Sequence, residues 1–400
     1  MILILIITIT ITLFLLFIRI SNKAQTSKRT SKINQNISRN NHDHHRKLLF
    51  GGTPNSFGQN SGFIQYENRE LAEATITDYY NSHSLDGILV RTPDVLHYKG
   101  FSEFYNTPLI PNFIFNIGSI TKTFIATAIL ILFDRDLIDL NQLVAPFATE
   151  RDIDIGPGIT ISMLLNMTSG IEDFVGNPEW ETIWKKNLSR RWTIKGLLKY
   201  VKYSDVGVWR YSNANYLFLG IVIELITKLP LKAALHQLIF FPLNMRNTSY
   251  IDDPMDVPFY THGHEYYRKN GKFKEHDTTF WSISWGWGAA DISSNLDDMA
   301  IWANSFGTAN LLSQNTRDMI FNNKILVDGT NVDNKIFYSN GFFITNQYIY
   351  HAGYIPGYCS IVSYDMEKGS HFVCLINKTD EEINTNYAEL LWKILFIRAP

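Results

Sequence analysis

Strand-like segments stand at both ends of the globular part of this 400-residue chain, and helix-like segments fill the region between them. Alternating apolar runs with turn residues between them cover residues 87–90, 95–99, 340–345, 347–351, 358–364 and 371–377. Because strands of one sheet lie side by side, the two ends of the chain have to meet. The order predicts an α+β fold, with one antiparallel sheet built from N- and C-terminal segments and flanked by helices. A mainly helical subdomain at about 135–280 is inserted between them.

Helical patterns occur at residues 68–83, 119–134, 215–227 and 379–398. The second of these is almost wholly apolar from residue 123 to 133, so we expect it to be buried on every side. A cleft between the sheet and the inserted subdomain is the expected place for a site.

Composition excludes several classes of protein. The chain has 36 Lys and Arg against 38 Asp and Glu, which is too little positive charge for a nucleic-acid binder. Its 14% aromatic content excludes a mostly disordered chain. The two cysteines, Cys359 and Cys374, cannot form a disulfide framework; on neighbouring strands they form either one disulfide or two buried thiols, and the thiols are favoured. No metal or cofactor is predicted, because His262 and His264 lack further ligands.

The N-terminus divides the chain into three parts. Residues 1–18 carry no charged side chain and would span about 27 Å as a helix, which predicts a signal peptide or signal anchor at 1–20. Residues 21–62 form a basic, polar linker, and 63–400 the globular domain. We expect export to the periplasm or cell surface, with attachment to the membrane through the N-terminal segment. Its cleavage and orientation stay open, since the basic residues follow the apolar run.

A serine and a lysine share one helix face near residue 120. Ser119 opens the apolar helix and Lys122 follows three residues later. A serine hydroxyl needs a neighbouring base to act as a nucleophile, and a desolvated lysine has a lowered pKa that suits this task. The helix N-terminus supplies N–H groups for an oxyanion. The alternative is an N-capping serine with a solvated lysine.

Two further segments carry chemistry-bearing residues. Tyr211 and Asn213 precede an apolar helix, where a phenol can relay a proton and an amide can bind a substrate carbonyl. His351 and Gly353 end a strand, and a strand edge of small residues lets a substrate approach closely. The Tyr-x-Asn pattern recurs in this chain, so it is weak by itself.

Together these motifs, Ser-x-x-Lys, Tyr-Ser-Asn and His-x-Gly, resemble those of the serine β-lactamases and penicillin-recognising enzymes. The flanking segments 115–118, 163–171 and 288–294 are similar to that family as well, with Met167 where histidine is usual. The resemblance implies a β-lactamase/transpeptidase-like fold over roughly residues 65–395.

The resemblance also implies a role for each residue. Ser119 is the acylated nucleophile, Lys122 assists as base and Tyr211 is the general acid/base. Asn213 holds the substrate amide, and Tyr354 N–H joins Ser119 N–H in the oxyanion hole. His351 takes the place of a lysine in class C β-lactamases, and an imidazole binds a substrate carboxylate less firmly than lysine does.

The histidine in the third motif favours the branch of D-alanyl-D-alanine carboxypeptidases, D-peptidases and esterases over β-lactamases. The expected function is an acyl-enzyme serine hydrolase acting on a small peptide, ester or β-lactam, with peptidoglycan as a candidate partner. A carboxylesterase, which the aromatic residues around Trp281 favour, a β-lactamase and a catalytically silent scaffold remain alternatives.

Overall fold

The computed structural model describes residues 69–270, 272–327, 335–381 and 385–396. The N-terminal segment 1–20, the linker 21–62 and residues 63–68 of the globular domain lie outside these ranges. No helix of the described ranges combines the length and hydropathy that a bilayer span requires.

The helices of the described residues are α1 (Arg69–Ser82), α2 (Thr121–Asp134), α3 (Ala145–Glu150), α4 (Ile161–Leu165), α5 (Pro178–Lys186), α6 (Ile194–Leu198), α7 (Asn213–Thr227), α8 (Leu231–Leu235), α9 (Trp287–Ala290), α10 (Leu296–Thr308), α11 (Gln314–Asn322) and α12 (Tyr387–Phe396). Short 3₁₀ turns cover Gly118–Ile120, Phe174–Gly176 and Pro254–Asp256, and a π turn covers His236–Phe240. The strands are β1 (Gly87–Arg91), β2 (Leu96–Ser102), β3 (Thr107–Pro108), β4 (Phe115–Asn116), β5 (Ser249–Tyr250), β6 (His264–Lys269), β7 (Lys272–Asp277), β8 (Ile292–Ser294), β9 (Ile325–Leu326), β10 (Phe337–Ser339), β11 (Phe342–Ile344), β12 (Tyr348–Ile355), β13 (Tyr358–Asp365), β14 (Ser370–Ile376) and β15 (Lys378–Asp380).

A nine-stranded antiparallel sheet joins the two ends of the described chain. Its order is β3-β2-β1-β14-β13-β12-β11-β10-β9, so the N-terminal strands continue directly from the C-terminal ones. Ile88 in β1 lies opposite Ile376 in β14, and both are fully buried. The predicted α+β architecture is confirmed.

Helices cover both faces of this sheet. Tyr350 in β12 packs on Trp392 of α12, with ring centroids 4.7 Å apart. Tyr364 in β13 instead meets Gly307 of α10, where a Cβ would lie 2.1 Å from the tyrosine ring. Tyr350 is paired with Ser363, the neighbour of Tyr364, so the two tyrosines point to opposite faces.

Helix α2 is buried along almost its whole length. Every side chain from residue 121 to 132 is buried, which confirms the expectation from its apolar sequence. Phe124 stacks on Trp302 of α10 at 4.0 Å between ring centroids, while α7 and α9 pack on other parts of the helix. The N-terminus of α2 is therefore held rigidly beside the sheet.

Two local expectations were wrong, and a third region contains strands besides the expected helices. The segment 379–398 is not one helix, because residues Lys378–Asp380 pair in parallel with β6 before α12 begins at Tyr387. The region 135–280 also contains the hairpin β6–β7, in addition to helices. The strand expected at 340–345 covers only Phe342–Ile344, since Asn340 and Gly341 both have positive φ and form a tight turn between β10 and β11.

Cys359 and Cys374 are free and buried, as the sequence favoured. His262 and His264 each lie beside a carboxylate of the same hairpin region, Asp277 at 2.8 Å and Glu275 at 2.6 Å.

Candidate active site

Ser119 lies in the middle of the 3₁₀ turn Gly118–Ile120, directly before α2. The turn requires a left-handed residue, and Gly118 supplies it with φ +52°. Ile120 is the N-cap residue of α2, so Ser119 is not used to cap the helix. The hydroxyl is half-buried and lines a cavity instead.

The Lys122 amine is buried and makes three short contacts. Its Nζ lies 2.9 Å from Ser119 Oγ, 2.7 Å from Asn213 Oδ1 and 2.9 Å from the carbonyl oxygen of Ala289. A solvated lysine is thereby excluded, since no part of this side chain is exposed.

The orientation of the Asn213 amide determines what Lys122 offers to Ser119. Asn213 Nδ2 donates to Asp173 Oδ2 at 2.7 Å, so its Oδ1 must face the lysine as an acceptor. The Ala289 carbonyl is also only an acceptor. A neutral Lys122 amine therefore donates its two N–H bonds to Asn213 and Ala289, and its lone pair points toward the Ser119 hydroxyl.

Burial favours this neutral form. It lowers the pKa of Lys122 to about 7, although the charge of Asp173 raises it in part. Burial likewise raises the pKa of Asp173, while hydrogen bonds from the Val175 and Asn213 backbone lower it. A base with a pKa near neutrality suits proton abstraction at physiological pH.

Tyr211 lies on the other side of Ser119. Its ring centroid is 4.8 Å from Lys122 Nζ, and it shares a hydrogen bond with the Ser119 side chain that lowers its pKa. Burial outweighs this bond and raises the pKa of Tyr211 well above its usual value. The phenol is therefore protonated at neutral pH and able to donate a proton.

The edge of β12 packs against the serine turn. A Cβ at Gly353 would lie only 1.9 Å from the carbonyl oxygen of Ile117, and a Cβ at Gly118 only 2.8 Å from Tyr354 N. Both positions therefore require glycine. Ser360 Oγ of β13 also donates to Ile117 O at 2.9 Å. The backbone of Tyr354 is in this way brought next to Ser119.

His351 lies in β12 behind Tyr211, with their ring centroids 6.4 Å apart. The side chain is 1% exposed, and its Nδ1 is 2.7 Å from the Ala352 carbonyl oxygen. Burial and the nearby Lys122 lower the pKa of His351 to about 3, so the imidazole is neutral at physiological pH.

Met167 supports the segment that carries Tyr211 and Asn213. Its sulfur accepts weak hydrogen bonds from Ser212 N at 3.3 Å and Asn215 Nδ2 at 3.2 Å, and its carbonyl accepts from Arg210 N at 2.8 Å. Methionine in place of histidine is thus a packing residue here.

The site opens into a cavity of about 480 Å³. Four tryptophans line it: Trp180, Trp184, Trp281 and Trp285. The rings of Trp180 and Trp184 stack at 5.7 Å, and Trp285 meets Trp180 edge-on at 5.9 Å. The cavity wall is therefore apolar enough to bind an acyl group or side chain.

The structure brings the residues singled out in the sequence to one place. Ser119, Lys122, Tyr211 and Asn213 are in mutual contact, and His351, Gly353 and Tyr354 lie on the adjoining strand edge. The second Tyr-Ser-Asn segment is elsewhere: Tyr338 is buried in β10, with its hydroxyl 3.2 Å from that of Tyr216.

Sequence reasoning missed Asp173 and the pair Trp180 and Trp184. Asp173 caps the turn Phe174–Gly176, which is an ordinary use of aspartate and hides its second contact with Asn213. The two tryptophans are spaced by four on α5, a pattern typical of any buried helix face.

Comparison with known families decides the assignment. The family model Beta-lactamase matches residues 83–394. The chain belongs to this family. Among curated members, penicillin-binding protein 4* of Bacillus subtilis is 22% identical over 337 residues, which cover 78% of this chain and 71% of the relative.

Solved β-lactamase-fold structures superpose on most of the chain. The D-amino acid amidase of Ochrobactrum anthropi SV3 matches with a TM-score of 0.69 at 21% identity, covering 81% of this chain and 96% of the amidase. A D-stereospecific amidohydrolase from Streptomyces sp. matches with a TM-score of 0.67 at 21% identity, covering 84% and 99% of the two chains. The likeness confirms the β-lactamase/transpeptidase type of fold.

Proposed function

We propose that this member of the β-lactamase family is a serine hydrolase that works through an acyl-enzyme on Ser119. The observation that carries the proposal is the 2.9 Å contact between Ser119 Oγ and a buried Lys122 amine whose N–H bonds are taken by two acceptors. This arrangement leaves the amine lone pair for the serine proton.

The reaction follows from these positions. Ser119 Oγ attacks the substrate carbonyl carbon as its proton passes to Lys122 Nζ, and the backbone N–H groups of Ser119 and Tyr354 stabilise the oxyanion. Tyr211 gives its phenolic proton to the leaving amine or alcohol, and it regains a proton from Lys122. Water then hydrolyses the acyl-enzyme by the reverse transfers.

We propose the D-peptidase branch as the substrate class, which includes D-alanyl-D-alanine carboxypeptidases. The D-amino acid amidase and the D-stereospecific amidohydrolase share the fold, and their names indicate amide substrates of D configuration. The neutral His351 supports this branch over a β-lactamase, since it gives a β-lactam carboxylate no cation.

A carboxylesterase is the second candidate, favoured by the four tryptophans of the cavity. Amides of D-amino acids separate the two candidates. An enzyme of the D-peptidase branch releases D-alanine or ammonia from them, whereas a carboxylesterase turns over only short acyl esters. Hydrolysis of nitrocefin at comparable rates would instead favour a β-lactamase.

The nucleophile is tested by labelling with a fluorophosphonate and with a fluorescent penicillin. We expect intact-mass spectra to show the fluorophosphonate adduct on the wild-type protein and none on Ser119→Ala. An adduct that persists in the alanine variant would reject this assignment, and absence of any adduct from several acyl probes would favour a silent scaffold.

Localisation outside the cytoplasm is a separate proposal, supported by the uncharged residues 1–18. Fractionation of cells expressing the full chain, followed by mass determination of its N-terminus, tests export and cleavage together. A full-length protein found in the cytoplasm would contradict it.

A further inference from the structure

The Lys122 amine at the proposed reaction centre is already fully hydrogen-bonded. Lys122 has three close acceptors, Ser119 Oγ, Asn213 Oδ1 and the Ala289 carbonyl oxygen, which equal the three N–H bonds of a protonated amine. It therefore has no donor left for a substrate carboxylate, in either protonation state.

The His351 imidazole is a poor partner for an anion as well. Its Nδ1 lies 2.7 Å from the Ala352 carbonyl oxygen, which can only accept, so Nδ1 must carry the hydrogen. In the neutral ring the other nitrogen, Nε2, then carries a lone pair, and it has no hydrogen-bond partner among the described residues. Nε2 is also buried, so the ring offers no N–H group to a carboxylate in the cavity.

Ala352, the next residue of β12, is half-buried and also lines the cavity. Its methyl group offers neither a hydroxyl nor a charge. The strand edge that follows Tyr350 thus presents a neutral imidazole, a methyl group and a glycine, and no side-chain donor of these three residues is available to an anion.

The charged residues in the rest of the cavity also disfavour a bound anion. The described lining residues with carboxyl groups are Asp173, Glu181, Glu265, Glu381 and Glu389. One lysine, Lys185, also lines the cavity. Its Nζ is 2.9 Å from a carboxylate oxygen of Glu181 and 3.7 Å from one of Glu381. Burial, together with the neighbouring charge of Glu381, raises the pKa of Glu265 to about 7. Such a lining repels anions.

We propose that the cavity takes substrates whose group beyond the scissile carbonyl is uncharged, a carboxamide or an ester, and discriminates against a terminal carboxylate. His351 and Ala352 are the residues that set this preference. The inference rests on the proposed acyl-enzyme function and narrows it, because it favours amidase-type over carboxypeptidase-type substrates within the D-peptidase branch.

The test uses a matched pair of ligands, an N-acyl-D-alanyl-D-alanine and its C-terminal carboxamide, which differ in charge and hardly in size. Release of the last residue gives kcat/KM, and competition with p-nitrophenyl acetate turnover gives the affinity of each ligand. We expect the carboxamide to be favoured about ten-fold or more, the worth of one charged hydrogen bond. Equal or better use of the carboxylate, or no binding of the carboxamide, would overturn the inference.

Three variants test which residues set the preference for the carboxamide. Ala352→Thr adds a hydroxyl at the cavity wall, and the isosteric Ala352→Val adds the same volume without a donor. We expect the threonine variant to narrow the carboxamide preference and the valine variant to keep it. His351→Lys should narrow the carboxamide preference further. A thermal melt that matches the wild type verifies that this variant is folded. Fluorophosphonate labelling of Ser119, measured in parallel, shows separately whether the proposed function holds.

Discussion

The Asp173 carboxylate accepts a hydrogen bond of 2.7 Å from the Asn213 amide nitrogen, on the side of Asn213 that faces away from Lys122. This bond decides which end of the amide meets the lysine, because an amide cannot present its oxygen to both neighbours. A residue that touches no reacting atom in this way sets the direction of the Lys122 lone pair.

The acidic limb of the pH profile of kcat/KM is expected to depend on the contacts of Lys122 and Asp173. Since burial lowers the pKa of Lys122 to about 7, we expect kcat/KM to rise with pH through that value as the amine loses its proton. The charge of Asp173 raises the lysine pKa, so Asp173→Asn should move the limb to lower pH.

Kinetics from about pH 5 to pH 9, the range around this pKa, measure the shift. Asp154→Asn is the control, since Asp154 is exposed and outside the cavity lining. A limb that stays in place in Asp173→Asn would show that Lys122 is not the group that titrates.

Replacement of Lys122, the proposed base, is expected to slow acylation strongly. Lys122→Met keeps the volume in the buried space but removes the proton acceptor, so the acylation rate should fall about 10²–10⁴-fold. Stopped-flow acylation by a chromogenic ester gives this rate, and circular dichroism with a thermal melt verifies folding. Acylation within a few-fold of the wild-type rate would contradict a role for this amine.

Tyr211→Phe separates amides from activated esters. In the proposed mechanism the phenol supplies a proton to the leaving group, which an amine needs and a p-nitrophenolate does not. We therefore expect amide turnover to fall about 10²-fold or more, with a much smaller effect on p-nitrophenyl esters. Equal losses on both substrates would indicate a structural role for Tyr211.

The tryptophan wall is expected to select the size of the bound group. Trp281→Ala should raise KM for substrates with an aromatic side chain about ten-fold, while it leaves acetyl esters nearly unaffected. Phe280→Ala is a close control, because Phe280 is its neighbour in sequence but is exposed and outside the lining. Equal effects of the two variants would argue against binding at Trp281.

The close packing of Gly353 against the Ile117 carbonyl predicts an effect on folding stability. Since a Cβ there would lie 1.9 Å from Ile117 O, Gly353→Ala must displace β12 from the serine turn. We expect a loss of about 1–3 kcal/mol in the free energy of unfolding, together with loss of acylation. Gly158→Ala is the control, because its Cβ would meet nothing within 4 Å; Gly158 has a positive φ of +77°, so any loss of stability there comes from backbone strain and not from a clash. Denaturant titration of both variants makes the comparison.

The sequence predicted the sheet, and it singled out the residues that meet at the candidate site, because both depend on local patterns. Strand alternation at both ends, the apolar run of α2 and the spacing of Ser119 and Lys122 are each visible over a few residues. Asp173 was not visible, because its contact with Asn213 joins segments 40 residues apart. The pairing of β15 with β6 was missed for the same reason, since a three-residue strand has no pattern of its own.

The contact between Ser360 and Ile117 joins residues 243 positions apart in the chain. A ribosome therefore completes the nucleophile's surroundings only near the end of translation, when the last strands have emerged and can pair with β1. Until that moment the turn that carries Ser119 lacks the strand edge that packs against it and brings the Tyr354 backbone next to it. A chain that ends before β13 therefore lacks one side of the candidate site.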